Sequence, residues 1–180
     1  MINALSIDLE DWFCANNITE AIGRSAWDSC ELRVTGSTKS ILEVLATHGT
    51  KATFFVLGWI AERVPELVDE IERQGHEIAT HGYSHTLLTH MTPESFADDL
   101  GRALEVTKLG PDREIIGFRA PSFTLVDSTR WALDVMADLG IEYDSSMFPI
   151  GFHPDYGIPD APLSVHRPTE RIVEFPLSCA

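Results

Sequence analysis

Short apolar runs alternate with amphipathic helical stretches along the whole chain, and a polar cluster directly follows most of the runs. Ala4–Ile7 ends in Asp8-Leu9-Glu10-Asp11, and Lys51–Leu57 is β-branched and aromatic. Glu77–Ala79 ends in His81-Gly82-Tyr83-Ser84-His85, Ile115–Phe118 in Arg119-Ala120-Pro121, and Ile141–Tyr143 in Asp144-Ser145-Ser146. Ile172–Phe175 is a last short run. Between them lie helical stretches at Ser37–Thr47, near Ile60, from Pro65 to Gln74, from Thr92 to about Leu109, and at Ser128–Leu139. Pro65 and Pro93 suit first helical positions, Thr92 an N-cap, and Gly75 and Gly140 the positions just past a helix end. Residues 14–36 read mostly as loop, as does the stretch 148–170 with its five prolines. A β-α-β-α order predicts an α/β fold with a parallel sheet. In such folds sites collect at the C-terminal ends of strands, where these clusters lie.

Composition narrows the function classes. The 180 residues are 44% hydrophobic and 23% charged, an ordinary globular mixture, with no repeat or linker to divide a single domain spanning 1–180. The net charge of −15 repels phosphate backbones and anionic lipid, which argues against nucleic acid or a membrane surface as partner. The longest greasy stretch, Phe54–Ala61, is far short of the roughly 20 residues of a membrane span. Cys14, Cys30 and Cys179 form neither a disulfide framework nor a metal knuckle. With acids by position 8 and no basic start, the expectation is a cytoplasmic protein with reduced thiols.

His81 and His85 stand four apart, so a helical turn there would aim both rings at one metal. Such a site needs an anionic third ligand, which the Asp8/Glu10/Asp11 cluster can supply. Three acids within four residues repel one another unless a cation or an arginine is near. Arg119, at another strand end, can hold one carboxylate ionised and oriented as a general base on an activated water. Asp144 reads either as part of this site or as an Asx-turn before Ser145 and Ser146. Trp12 and Phe148 are the aromatics placed to stack on a sugar.

These residues resemble the NodB-homology polysaccharide deacetylases of carbohydrate esterase family 4. The stretch K51-A-T-F-F followed by G75-H-E-I-A-T-H-G-Y-S-H matches that family's second motif and its approach. R119-A-P-S-F matches the third, and S6-I-D-L-E-D-W-F is a variant of the first. Y143-D-S-S-M-F-P and Y156-G-I-P-D-A-P are similar to an exosortase-associated branch.

The resemblance implies a distorted (β/α) barrel and a divalent metal, zinc by preference, held by an acid and two histidines. It implies Asp8 as base, Arg119 as its tether, and His81 and His85 as ligands. Asp11, the last acid before the aromatic, is the choice for the third ligand. Glu10 is the rival, because a period of two puts it on the same side as Asp8. Pro121 and Tyr83, inside the third and second motifs, fall on the substrate side. The implied activity is removal of N-acetyl groups from N-acetylhexosamine units of a glycan. An amidase of the same fold acting on small amides, and a non-catalytic metal- or glycan-binding fragment, are the rival readings. The family's last motif, a histidine that protonates the leaving amine, would lie beyond V173-E-F-P-L-S and has no match. The expectation is therefore a shortened barrel with an open sheet edge. Such an edge recruits a partner strand, which makes a homo-oligomer an expectation too.

Overall fold

Six short strands lie side by side in chain order, every pair parallel. They are β1 (Ser6–Leu9), β2 (Thr53–Val56), β3 (Glu77–Thr80), β4 (Gly117–Phe118), β5 (Tyr143–Asp144) and β6 (Val173–Glu174). In this computed structural model residues 4–108, 113–153 and 156–178 are described. Parallel neighbours need a crossover, and helices supply it. α1 (Asn16–Ile22) and α2 (Val34–Thr47) follow β1, and α3 (Gly58–Arg63) and α4 (Pro65–Arg73) follow β2. α5 (Pro93–Thr107) follows β3 and α6 (Ala132–Asp138) follows β4. The proline-rich stretch between β5 and β6 has no helix among the described residues.

The local signals behave as their chemistry dictates. Thr92 caps α5, its hydroxyl accepting from the Ser95 N–H at 3.3 Å while the Ser95 hydroxyl takes the Thr92 N–H at 2.9 Å. Pro65 sits at the start of α4, and Gly75 beyond its end has φ of 78°. The end expected for α5 at Gly110-Pro111 lies outside the described residues, as does Cys179; Cys14 and Cys30 are free thiols. Phe54 and Val56 from the sheet and Leu57 from its end are fully buried, and one apolar cluster runs from Leu9 to Ile172.

Three segments differ from the sequence reading, one of them the helix expected at Ser128–Leu139, which is a 3-10 turn at Asp127–Thr129 followed by α6 from Ala132. Residues 14–36, read as mostly loop, contain α1 and a 3-10 helix over Arg24–Ser29. α1 buries none of its residues, so it carries no apolar stripe for periodicity to reveal. Trp27 fastens this segment to the core, its ring 5.4 Å from Phe13 and 5.3 Å from Trp59. The remaining difference is the start of α2, at Val34 rather than Ser37. Its cap comes from far upstream, as the Asp11 carboxylate accepts the N–H groups of Arg33 at 2.7 Å and Val34 at 2.9 Å.

Among the described residues β1 pairs only with β2, and β6 pairs with β5 and with a single antiparallel bridge to His166. Leu5 and Ser6 on one edge and Val173 and Phe175 on the other line a shared cavity of about 1010 Å³. The sheet therefore curls toward a barrel whose first and last strands do not meet. At its centre Gly117 lets the Tyr143 ring cross β4: a Cβ there would stand 2.1 Å from that ring. No helix among the described residues is long and apolar enough to cross a membrane.

Candidate active site and metal centre

Alternation along β1 sets the first half of the site. Leu9 turns into the core at 2% exposure, so Asp8 and Glu10 emerge on the opposite side. β3 sets the second half. His81 continues the ladder, its N–H donating to the Val56 carbonyl at 2.9 Å. The chain then turns through Gly82, at φ of 71°, to His85, at φ of 54°. The two imidazoles meet with ring centroids 5.2 Å apart. The sequence anticipated a helical turn here; the actual device is a loop with two left-handed residues. A β-carbonless residue suits the first, where a Cβ would lie 3.0 Å from Asp99 Oδ2. A left-handed histidine is an uncommon conformation of the kind that collects at functional sites. Asp99 of α5 holds the loop by accepting the N–H groups of Tyr83 at 2.8 Å and Ser84 at 3.1 Å.

Glu10, His81 and His85 form one group, with a donor atom from each within 4.8 Å of the others. Glu10 Oε2 stands 2.9 Å from His85 Nε2. For comparison, neighbouring ligands about 2 Å from a tetrahedral ion are about 3.3 Å apart. His85 Nδ1 is buried without a hydrogen-bond partner, and Glu10 Oε2 is buried with the His85 ring as its neighbour. His81 Nδ1 lies 2.8 Å from the Arg119 carbonyl, which can only accept, so the proton is on Nδ1 and the lone pair on Nε2. Burial keeps His81 below the usual histidine range, favouring the neutral ring. Burial also opposes charge on Glu10, but the hydrogen bond and charge of His85, with His81, outweigh it and hold that carboxyl below its ordinary value. A half-buried carboxylate and two buried imidazoles within reach of one another would fit a divalent cation.

Arg119, only 4% exposed, binds on all sides. Its Nη1 donates to Asp8 Oδ1 at 2.8 Å, and its Nη2 to Ser6 Oγ and Ser145 Oγ at 2.9 Å. Its Nε donates to the Ser145 carbonyl at 2.8 Å. Asp8 thus has one oxygen fixed by a charge-assisted bond and a second left over. Around Asp8, Glu10 and the two histidines a pocket of about 380 Å³ is closed by Ala15, Asn16, Asn17, Ser122 and Phe123.

Several residues lie elsewhere than the sequence put them. Asp11 is not with the histidines: beyond its two bonds at the start of α2, its Oδ1 takes the Trp12 N–H at 2.8 Å. Three backbone donors occupy it, and the group contains Glu10 instead. Tyr83 is 7% exposed, its hydroxyl on Glu62 at 2.7 Å and its ring beneath Arg102. Pro121 is buried, and Ser122 and Phe123 after it form the pocket wall. Trp12 gives its Nε1 proton to the Glu31 carbonyl and lines no part of the pocket. Phe148 stacks on Tyr156 behind Phe123. Asp144 adopts the Asx-turn, accepting the Ser146 N–H at 3.1 Å.

Sequence reasoning missed Asn16, Asn17, Ser122 and Asp99. Asn16 and Ser122 are joined at 2.6 Å across 106 residues, a link no local pattern carries. For Ser122 and Phe123 the signal is conformational, at φ of 50° and 55°.

Known proteins share these features. The family model described as polysaccharide deacetylase matches residues 25–143. A peptidoglycan-N-acetylglucosamine deacetylase of Bacillus cereus is 38% identical over 69 residues, covering 38% of this chain and 25% of its own. A chitooligosaccharide deacetylase of a Bradyrhizobium species is 36% identical over 63 residues, 35% of this chain and 29% of its own. These alignments span about a quarter to a third of the relatives' length. Among solved structures, one described as a polysaccharide deacetylase from Mycobacterium smegmatis superposes with a TM-score of 0.69 at 26% identity, covering 97% of this chain and 58% of the other. A family 4 carbohydrate esterase from Streptomyces lividans has the same fold, with a TM-score of 0.59 at 22% identity, over 79% of this chain and 60% of its own. With the family model matched across 119 of 180 residues, a span that includes the paired histidines and Arg119, the chain belongs to the polysaccharide deacetylase family.

Proposed function

We propose that the protein is a metal-dependent N-deacetylase acting on N-acetylhexosamine units of a glycan, with Asp8 as general base and Glu10, His81 and His85 as the metal ligands. The observation that carries this reading is the juxtaposition of an arginine-fixed carboxylate with the Glu10/His81/His85 group in one 380 Å³ pocket. When bound, a divalent cation such as zinc supplies Lewis-acid polarisation of the acetamide carbonyl and lowers the pKa of a water. The chain's own residues do the rest. Arg119 occupies Asp8 Oδ1, which leaves Oδ2 to take the proton of the attacking water. The Arg119 carbonyl fixes the His81 tautomer and ring direction. Water adds to the acetamide carbon, the C–N bond breaks, and acetate and a free amine leave. The pocket's other titratable groups belong to the ligand set, so the proton gathered on Asp8 is the one available to the leaving nitrogen. Asn16 and Asn17 offer amide donors and acceptors and Phe123 an apolar face, a mixture that suits one sugar residue. The single core from Leu9 to Ile172 supports a reading of the chain as one domain.

The test is acetate release by the zinc-loaded chain from chitooligosaccharides, set beside release from small amides. Turnover of the oligosaccharides that stops on chelation and in Asp8→Asn is expected. Activity on small amides alone would replace the glycan reading with an amidase, and no turnover of either would leave a metal-binding fragment.

A further inference from the structure

Behind Arg119, two carboxyl groups that the reaction does not use lie against each other with no exposure to solvent. Asp144 ends β5 and Glu174 ends β6, and both are 0% exposed. Their hydrogen bonds have a direction. Asp144 accepts twice from Ser146, from its N–H at 3.1 Å and its hydroxyl at 2.6 Å. The Ser146 hydroxyl in turn accepts the Ala120 N–H at 2.7 Å. Glu174 Oε1 accepts the Met147 N–H at 2.9 Å, whereas Oε2 is buried with no donor reaching it. Two ionised carboxylates cannot hydrogen-bond to one another, so Oε2 is satisfied only if it carries a proton and gives it to Asp144. Donors then converge on Asp144 from two sides, the Glu174 proton on one and, on the other, the Ser146 hydroxyl, which itself accepts the Ala120 N–H.

Ala120 is a consequential terminus. The residue before it grips Asp8 with its guanidinium and His81 with its carbonyl. The residues after it, Ser122 and Phe123, are the left-handed wall of the pocket. The neighbouring serine acts in parallel: Ser145 receives Arg119 through both its carbonyl and its hydroxyl, and that hydroxyl donates to the Phe175 carbonyl at 2.8 Å. The ends of β5 and β6 therefore set the place of Arg119 from two sides.

We propose that Asp144 and Glu174 form a one-proton acid–carboxylate pair that positions Arg119 and the Ala120–Phe123 wall. The role rests on the reading of Arg119 as the group that holds the base of a deacetylase. Electrostatics agrees with the geometry. Burial, and then the Asp144 charge, push the Glu174 carboxyl up to about 11. Burial also raises Asp144, against the pull of its hydrogen bonds and of Arg119. The charged groups facing the pair are Arg119 from β4 and, beyond it, Asp8 from β1.

Glu174→Gln is the informative variant, because its amide NH₂ can donate to Asp144 while its carbonyl keeps the Met147 N–H. In the wild type the folded state retains a proton that the unfolded chain releases above its ordinary value of 4.5, so stability is lost as pH rises beyond that value. Glu174→Gln lacks this proton. Relative to wild type, its folded-to-unfolded ratio should rise with pH above about 5, by up to about tenfold per pH unit, in denaturant titrations. Parallel curves for the two proteins would overturn the shared proton. Positioning is read from the Arg119 Nε–H signal in NMR spectra, assigned by its loss in Arg119→Lys. Glu174→Gln should preserve its shift and slow exchange, and Glu174→Ala should lose both. An unchanged signal in Glu174→Ala, or a lost one in Glu174→Gln, would overturn the positioning role. Neither readout needs turnover, so an inactive wild type would sink the deacetylase reading and leave this one to be judged on its own measurements.

Discussion

Exchanging Asp11 and Glu10 for alanine, one at a time, separates a capping acid from a ligand acid. Asp11 is 4% exposed and accepts three backbone N–H groups at 2.7–2.9 Å, two of them at the start of α2. A lost helix cap costs about 1 kcal/mol, and a buried donor left unpaired about 1–3 kcal/mol more. Asp11→Ala should therefore lose about 2–4 kcal/mol, or about 5–15 °C in melting temperature for a chain of this size. Zinc should still bind the folded fraction. Glu10 is the opposite case. Its one polar contact is Oε2 to His85 Nε2 at 2.9 Å, with no backbone donor, so Glu10→Ala should change the metal-free stability by about 1 kcal/mol. Its zinc affinity should fall by more than about 100-fold, because even outer-shell changes cost about 10–100-fold. The assay is a thermal melt with and without zinc, alongside calorimetric titration of the metal. A folded Asp11→Ala that binds no zinc, with a Glu10→Ala that binds normally, would refute the assignment and restore Asp11 as the ligand.

Further outcomes follow from the same geometry. Asp8→Asn should keep its zinc, measured by metal content, and lose turnover by about 10²–10⁴-fold, the usual contribution of a general base; a metal-free Asp8→Asn would make Asp8 a ligand. Tyr83→Phe gives up the 2.7 Å bond to Glu62 and should cost about 1 kcal/mol in urea titration with KM unchanged; a raised KM would return Tyr83 to the substrate side. Metal-free protein should lose stability as pH falls below about 6.5. Burial holds His81 neutral in the folded state while the unfolded chain takes up the proton at its ordinary value of 6.5. A His81→Asn variant should show a flatter urea-midpoint profile between pH 6.5 and 5, and identical profiles would contradict the burial argument.

The alternation of strands and helices was legible because it is local chemistry. Thr53–Val56 is β-branched and aromatic, α4 opens on a proline and ends before a glycine, and α5 carries its cap at Thr92. The strands' polar ends were legible for the same reason, and His81, His85, Arg119 and Asp8 are together in the structure. α1 was hidden because it buries nothing, so no apolar period marks it. The barrel's incomplete curl follows from which edges find partners, and pairing across a sheet leaves no trace in a single strand's pattern.

The two acids at 10 and 11 show where a local signal stops being enough. Strand alternation favoured Glu10, since it shares a side with Asp8. The motif pointed to the acid beside the tryptophan instead. What decides between them is where extended backbone ends. Leu9 is the last strand residue, and Trp12–Cys14 is already a 3-10 helix whose first N–H needs an acceptor. Asp11 stands at that helix's N-cap and meets the need, and the start of α2 brings two more unpaired N–H groups to the same carboxylate. Once three donors hold Asp11, the acid before it is the one that no backbone N–H claims and that stands next to two imidazoles. The ligand is thus selected by the backbone donors that claim its neighbour, and two of those three donors lie 22 and 23 residues further along the chain.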